Sequence, residues 1–265
     1  MGIHPTALVD ARAELAEDVD ILPYTIIGPE VVIEAGCTVG PHVVIEGRSH
    51  IGKRNQIYPF VTIGFPPQDI SYGGEPTQVR IGDHNIIREH VTIQRGTPGG
   101  GGVTRIGSHN FIMAYAHIAH DCKLGDQVIM ANGATLGGHV RVDDYVVLGG
   151  LAAVHQYVRI GAHAYIGGTS AINQDIPPYT LIAPDPAEIY GLNMVGLKRK
   201  GFSAEAIQAL KSCYRILFRS NLTVKKAIEK IRKDVTALPE VETLLGFMEQ
   251  ASKRGIIRTV NEQAQ

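Results

Sequence analysis

The 265-residue sequence predicts a mainly β protein: a parallel β-helix of hexapeptide repeats followed by a small C-terminal α-helical bundle. Three observations predict it. Every sixth residue from Ile3 is aliphatic through most of the first two-thirds of the chain. That period stops at Pro177-Pro178, after which apolar residues recur at helical spacing. Thirty glycines, no tryptophan and six phenylalanines are unusual for a layered α/β enzyme and suit a repeat built on tight corners.

The repeat begins at Ile3, Val9, Leu15, Ile21, Ile27 and Ile33 and runs unbroken to Ile63. It resumes in phase at Ile81, Ile87 and Ile93, then after a one-residue shift from Ile106 to Ile172. A period of six fits neither an α-helix nor a simple hairpin sheet. It fits short strands separated by corners, three to a coil of 18 residues, with the aliphatic residue pointing inward. A glycine often follows it, as at Gly28, Gly40, Gly107 and Gly149, and these glycines are expected to supply the corner dihedrals. The slot further on is small or β-branched: Ala7, Thr25, Cys37, Ala116, Cys122, Ala134. At roughly 4.8 Å per coil, nearly nine coils make a prism about 40 Å long.

Two segments interrupt the prism, residues 64–78 (GFPPQDISYGGEPTQ) and 96–102 (GTPGGGG). The first returns in phase, so it replaces whole hexapeptides. The second has a glycine run but no GxxxxGK[ST], and reads as a loop over a neighbouring surface rather than a phosphate cradle. Residues 1–185 form the expected prism domain and 186–265 the helical one. Ser203 caps a helix to about Arg219, and residues 223–236 and 239–253 read as two more, with Pro239 in a first turn. The bundle is expected to cap one end of the prism, where open strand edges would otherwise be exposed.

The formal charge of −1 argues against a nucleic-acid binder with a general basic field. It conceals an acidic prism of net −7 and a tail of net +6, and the tail is suited to an acidic partner. Cys37, Cys122 and Cys213 have neither zinc spacing nor a disulfide pattern, and Cys122 occupies a small-residue slot. No signal segment or membrane span is evident, and a reducing cytoplasm is the simplest compartment. No cofactor fingerprint or metal-cluster spacing is present.

Six of the eleven histidines fall between residues 109 and 163. His120, His139 and His155 avoid the inward slot, and their spacing of about one coil lets them line one edge of the prism. Such a cluster suits general base chemistry.

The run NFIMAYAHIAHDC (110–122), with ATLGGHV (134–140), AAVHQY (152–157), IHPTALVD (3–10), QDISYGGEPTQ (68–78), VTIQRGT (91–97), QDIPPY (174–179) and GLKRKGFS (196–203), resembles the UDP-N-acetylglucosamine O-acyltransferases. That family opens lipid A biosynthesis. The match runs nearly the length of the chain, in order. The resemblance implies a left-handed coil, although the general crossover rule favours a right-handed one. It implies transfer of an (R)-3-hydroxyacyl chain from acyl carrier protein to UDP-N-acetylglucosamine, in the cytoplasm, by a homotrimer with active sites between prisms.

By the same resemblance, His120 is the base, Asp121 orients it, and the Gly138 N–H holds the oxyanion. Adjacent strand residues point to opposite faces, so contact between His120 and Asp121 requires a corner there. Gln68, Asp69, His117, His139, His155, Gln156, Asn193, Arg199 and Lys200 are implied to contact sugar, phosphate or acyl groups. Gly168 matches the position that measures acyl length, and a glycine there implies a long chain. Ser71 stands where lysine is often found and Val195 where glutamate is, which leaves the 3-hydroxyl or 3-amino nature of the acceptor open. Lys211 and Arg215, one helical turn apart, are the candidates for docking the acidic carrier. Alternative readings are a zinc enzyme resembling the γ-class carbonic anhydrases, a later N-acyltransferase of the pathway, which would carry an extra amino-terminal domain that this chain lacks, and a non-catalytic hexapeptide scaffold.

Overall fold

The computed structural model describes residues 2–184 and 186–257. Strands of two to four residues recur through the coils, and each successive strand up to Ala171–Ile172 joins a different sheet. Asp20–Ile21 pairs in parallel with Thr38–Val39, Ile26–Ile27 with Val44–Ile45, and Val32–Ile33 with His50–Ile51. Each partner lies one 18-residue coil further on, as the hexapeptide period requires.

Three parallel sheets therefore form the faces of a prism. The first face starts at Leu8–Val9, the second at Glu14–Leu15 and the third at Asp20–Ile21. In each strand the aliphatic residue points inward and its predecessor outward. Ile21, Ile45, Ile63, Ile87, Ile112, Ile118, Leu136 and Ile166 are fully buried in one continuous core. Each such burial is worth about 1.5–3 kcal/mol, so the aliphatic stack dominates the stability of the repeat.

The two loops leave their marks on the register. Ile63 pairs with Ile93 and Ile93 with Ile118, skipping past the insertions to restore the stack.

The expected role of the glycines is corrected. Gly28, Gly40, Gly107 and Gly149 do not hold positive φ; the left-handed corner positions belong to residues such as Tyr24, His42, Phe60, His90 and Tyr115, with φ between 58° and 63°. Close approach of the next coil is what requires glycine. A Cβ on Gly107 would lie 2.5 Å from the Gly125 oxygen, and one on Gly149 would lie 2.4 Å from the Gly168 nitrogen. The corner residues in turn stack ring on ring, Tyr24–His42–Phe60–His90–Tyr115, with centroids 4.7–5.1 Å apart. Stacking contributes about 0.5–1.5 kcal/mol per pair. That offsets a left-handed cost of roughly 1–2 kcal/mol per residue.

After the last coil, Thr180–Ala183 pairs antiparallel with Glu188–Leu192, so the chain beyond residue 186 extends the third sheet before turning helical. Asp185, at the expected domain boundary, lies outside the described residues. Four helices follow: α1 (Met194–Arg199), α2 (Ala204–Phe218), α3 (Val224–Asp234) and α4 (Pro239–Glu249). Ser203 caps α2 by accepting from the Ala206 N–H, and Thr223 caps α3 in the same way from Lys226. Helix α3 ends two residues earlier than expected because Val235 is extended, and α4 ends at Glu249 because Gln250 is. The Gln250 side chain accepts from buried Arg159 instead. Helix α1 was not expected; at six residues it is too short to display a period.

Leu197, Leu210, Cys213, Ile231 and Leu245 form a second core with Tyr179, while Phe218 joins that of the prism. Residues beyond α4 return to the last coil, where the Asp175 backbone exchanges hydrogen bonds with Gly255 and Ile257.

Candidate active site

The edge between the first and second faces carries the histidine cluster. His117–Ile118 belongs to the first face and Lys123–Leu124 to the second, so His120 and Asp121 sit on the corner joining them. Asp121 adopts φ 59°. This left-handed turn overrides strand alternation and brings its Oδ2 within 2.9 Å of His120 Nδ1. The Asp121 side chain is 1% exposed and that of His120 is 12%, so a buried carboxylate faces an imidazole that solvent can still reach.

The rest of the carboxylate is satisfied by the glycine loop. The Thr97 N–H donates to both Asp121 oxygens, and the Thr97 hydroxyl donates to Oδ2 at 2.7 Å. A Cβ on Gly100 would fall 2.0–2.3 Å from the Asp121 carboxyl group. Residues 96–102 thus close over Asp121 of their own chain, and that corner is the neighbouring surface the loop covers. The Asp121 N–H donates to the Thr104 hydroxyl, fixing the corner from below.

One coil further on, Gly138 occupies the register of His120, and His139 that of Asp121. A Cβ on Gly138 would meet the His120 ring at 2.5 Å, so the imidazole rests directly against the glycine backbone. The Gly138 N–H makes no hydrogen bond among the described residues. His139 meets His120 edge-on at 5.1 Å and stacks on Tyr157 at 4.4 Å. His120, His139 and His155 all fall on corners between the first and second faces, so they line one edge over three coils as expected, but the ring ladder does not run through all three. Tyr157, not His155, continues the ladder; His155 lies two positions earlier and faces the Arg254 guanidinium at 2.5 Å.

Burial holds His139 and His117 below the usual imidazole range. Both are therefore neutral near pH 7, and His117 shares a 2.6 Å hydrogen bond with the Thr92 hydroxyl. Asp69 comes from the first inserted loop and is held low by hydrogen bonds from Ser71; it also feels His120 and His139. The Gln68 N–H donates to Gln94, anchoring that loop, and the Gln156 carbonyl accepts from Arg254. Cys122 is buried and its thiol is pushed up to about 12, which rules it out as a nucleophile and agrees with packing.

Asn193, Arg199 and Lys200 lie elsewhere on the chain. They line a largely apolar groove of about 940 Å³ with Tyr145, His163 and Tyr165, along the third face and its edge with the second. The Asn193 amide caps α1, accepting from Gly196 and donating to the His163 carbonyl. Lys200 donates to Gln127 and lies 4.4 Å over the Tyr145 ring. Val195 is exposed beside them. Gly168 lies on the third edge, 3.1 Å from the Gly150 oxygen measured from a would-be Cβ. Lys211 and Arg215 border a depression of about 420 Å³ with Gln208 and Tyr214. One chain thus brings together Asp69, His117, His120, Asp121, Gly138 and His139, but not the second group.

Thr97, Thr104, Lys253 and Arg254 were not anticipated as site residues. Thr97 ends the VTIQRGT run, but no linear pattern announces its bond to Asp121. Lys253 lies 4.2 Å over the Tyr157 ring and, with Arg254, carries the tail's positive charge to this edge.

His120, Asp121 and His139 offer donor atoms within 4.8 Å of one another, the one such cluster among the described residues. They fit an ion poorly, because both Asp121 oxygens already accept from Thr97 and one from His120.

Residues 104–138 match the family model of the bacterial transferase hexapeptide (six repeats), and residues 175–257 match that of UDP N-acetylglucosamine O-acyltransferase, domain 2. The chain is 59% identical to an acyl-[acyl-carrier-protein]–UDP-N-acetylglucosamine O-acyltransferase of Syntrophobacter fumaroxidans, over 97% of this chain and 100% of the relative. It is 56% identical to the protein of the same description from Thermodesulfovibrio yellowstonii, over 97% and 99%. Among solved structures it is similar to LpxA of Acinetobacter baumannii, with TM-score 0.94, 44% identity, and 97% and 99% of the two chains covered. The UDP-N-acetylglucosamine acyltransferase of Bacteroides fragilis gives TM-score 0.94 at 37% identity, over 97% and 100%.

Fold and site together define a hexapeptide transferase of the left-handed parallel β-helix class. Within that class, the chain belongs to the acyl-[acyl-carrier-protein]–UDP-N-acetylglucosamine O-acyltransferase family.

Proposed function

We propose that this protein transfers an (R)-3-hydroxyacyl chain from acyl carrier protein to the 3-position of UDP-N-acetylglucosamine, with His120 as general base. The observation that carries the reading is the buried Asp121 carboxylate on His120 Nδ1, with the unpartnered Gly138 N–H beside the ring. Asp121 holds the tautomer with the proton on Nδ1, leaving Nε2 free to accept. Nε2 takes the sugar hydroxyl proton as that oxygen attacks the thioester carbonyl. The Gly138 N–H donates to the oxyanion of the tetrahedral intermediate. Collapse expels the carrier thiolate, which takes the proton back from His120.

Asp69, Gln68, His117, His139, His155 and Gln156 surround this centre and are assigned to the sugar and acyl groups. Asn193, Arg199 and Lys200 are assigned to the nucleotide phosphates. Because they lie on another edge of the prism, they reach His120 only from a second copy, which supports a homotrimer with sites between prisms. The exposed edge of Tyr24, Phe60, Tyr115 and Leu151 supplies apolar surface for such an assembly. Gly168 is assigned as the end stop of a long acyl groove, Lys211 and Arg215 as carrier contacts, and the cytoplasm as the compartment. No described helix is long and apolar enough to cross a membrane. We also keep residues 1–185 and 186–265 as the two domains.

The test is mass spectrometry of product formed from UDP-N-acetylglucosamine and a mixture of hydroxyacyl carrier proteins. A 3-acylated sugar nucleotide is expected; no acylated product from any donor would overturn the reading.

A further inference from the structure

The second face of the prism carries a column of cations. Arg80 pairs in register with Arg105, Arg105 with Lys123, Lys123 with Arg141, and Arg141 with Arg159. All five occupy the outward position before the buried aliphatic residue. Residues 1–185 hold only eleven lysines and arginines in a segment of net −7, yet five fall in this one column.

Parallel strands place the rungs roughly 4.8 Å apart. Like charges paired directly across strands are destabilising. A fold optimised for stability alone would relieve them, and it does so just upstream of the column and at its far end, while Arg80 itself only donates to the Gln78 side-chain oxygen. Upstream, His50 pairs with Glu34 and Arg48 with Glu30. Downstream, Arg159 is buried against Asp175 at 2.7 Å. Between these ends, Arg105, Lys123 and Arg141 are exposed, and their side chains make no hydrogen bond or ion pair among the described residues. Asp143 feels Arg141 and Arg159, which offsets the field only at that end.

The column adjoins the reacting edge. Lys123 follows Asp121 by two residues and Arg141 follows His139 by two, a strand distance of about 7 Å. Lys253, lying over Tyr157, adds a further cation at the same corner.

We infer that Arg105, Lys123 and Arg141 form the primary docking face for the acidic acyl carrier protein, which deepens the functional reading above and rests on it. The occupant is fixed by charge complementarity and by position. The donor must deliver a tethered thioester to His120, and a carrier seated on this face has its tether at the corner where the second face meets the site. Helix α2, with Lys211 and Arg215, then supplies secondary carrier contacts beside this primary face.

The experiment compares wild type with the triple variants Arg105→Glu/Lys123→Glu/Arg141→Glu and Arg105→Ala/Lys123→Ala/Arg141→Ala. The alanine variant, relieved of like-charge contacts, is expected to keep or raise the thermal midpoint, which shows the fold intact. Reversal is expected to raise the KM for the acyl carrier protein roughly tenfold or more while kcat stays within about twofold, and to flatten the dependence of KM on salt. The increase should vanish when the donor is the acyl-phosphopantetheine fragment without its protein. Unchanged KM and salt slope in an active reversal variant would overturn the docking face alone. So would a KM rise confined to Lys211→Glu/Arg215→Glu, or a loss seen only in sedimentation with anionic phospholipid vesicles. Absence of transfer by wild type from any carrier-bound donor would instead overturn the functional reading, and the proposal with it.

Discussion

His120 Nδ1 lies 2.9 Å from Asp121 Oδ2, although the two are neighbours along the chain and would face opposite ways in a strand. The left-handed backbone of Asp121 makes the contact. Replacing His120 with Ala should therefore lower kcat by roughly 10²–10⁴ without unfolding the protein. Thr97→Val, which removes one hydrogen bond to the same carboxylate, should cost about 1 kcal/mol of stability and only part of the activity. Steady-state kinetics with urea unfolding checks both; full activity in His120→Ala would remove it as the base.

Gly138 and His120 compete for the same space. Gly138→Ala places a methyl group 2.5 Å from the imidazole carbon, so the ring must leave its position against the backbone. The expected outcome is a large fall in kcat with little change in the thermal midpoint. Retained kcat would show that the ring position is not needed.

Stability should fall on the acid side of neutrality. Burial, helped by Lys200, holds His163 below the usual imidazole value. As pH drops below about 6.5, the unfolded chain takes up the proton before the folded one does, so stability declines toward the lower folded value. His163 is stacked between Tyr145 and Tyr179. His163→Phe keeps the stack and removes the titrating group. Thermal midpoints at pH 7.5 and 5.5 should differ less in this variant than in wild type.

The two kinds of corner residue should respond oppositely to substitution. Gly149→Ala drives a Cβ to 2.4 Å from the next coil's backbone and should cost about 1–3 kcal/mol or more. Leu151→Gly relieves a residue at φ 58°, and because Leu151 is 67% exposed it should change stability by less than about 1 kcal/mol. Urea midpoints discriminate the two.

Gly168→Met should shift donor preference toward shorter 3-hydroxyacyl chains, while wild type prefers the long ones. A competition between short and long acyl carriers reads this directly; a wild type that favours the short chain would remove Gly168 as the end stop.

Much of this was legible in the sequence. The six-residue period located the inward residues Ile21 to Ile172 because each repeat buries its aliphatic residue on the one below. The cation column emerged only from the strand register, which sets Arg80, Arg105, Lys123, Arg141 and Arg159 side by side. The HIAHDC run marked His120 as a candidate by resemblance. Helix α1 escaped because one and a half turns carry no measurable period.

What the sequence alone determined was the periodic part: coil length, face assignment and the family. Tertiary structure decided everything set by distance between coils. It assigned the glycines to close approach and the left-handed corners to stacked rings. It folded the Thr97 loop onto Asp121 and put Tyr157 rather than His155 behind His139. It placed Arg199 and Lys200 on a different edge from His120. The physical reason is that a local pattern specifies which way a side chain points, whereas contact depends on the few tenths of an ångström by which one coil settles on the next.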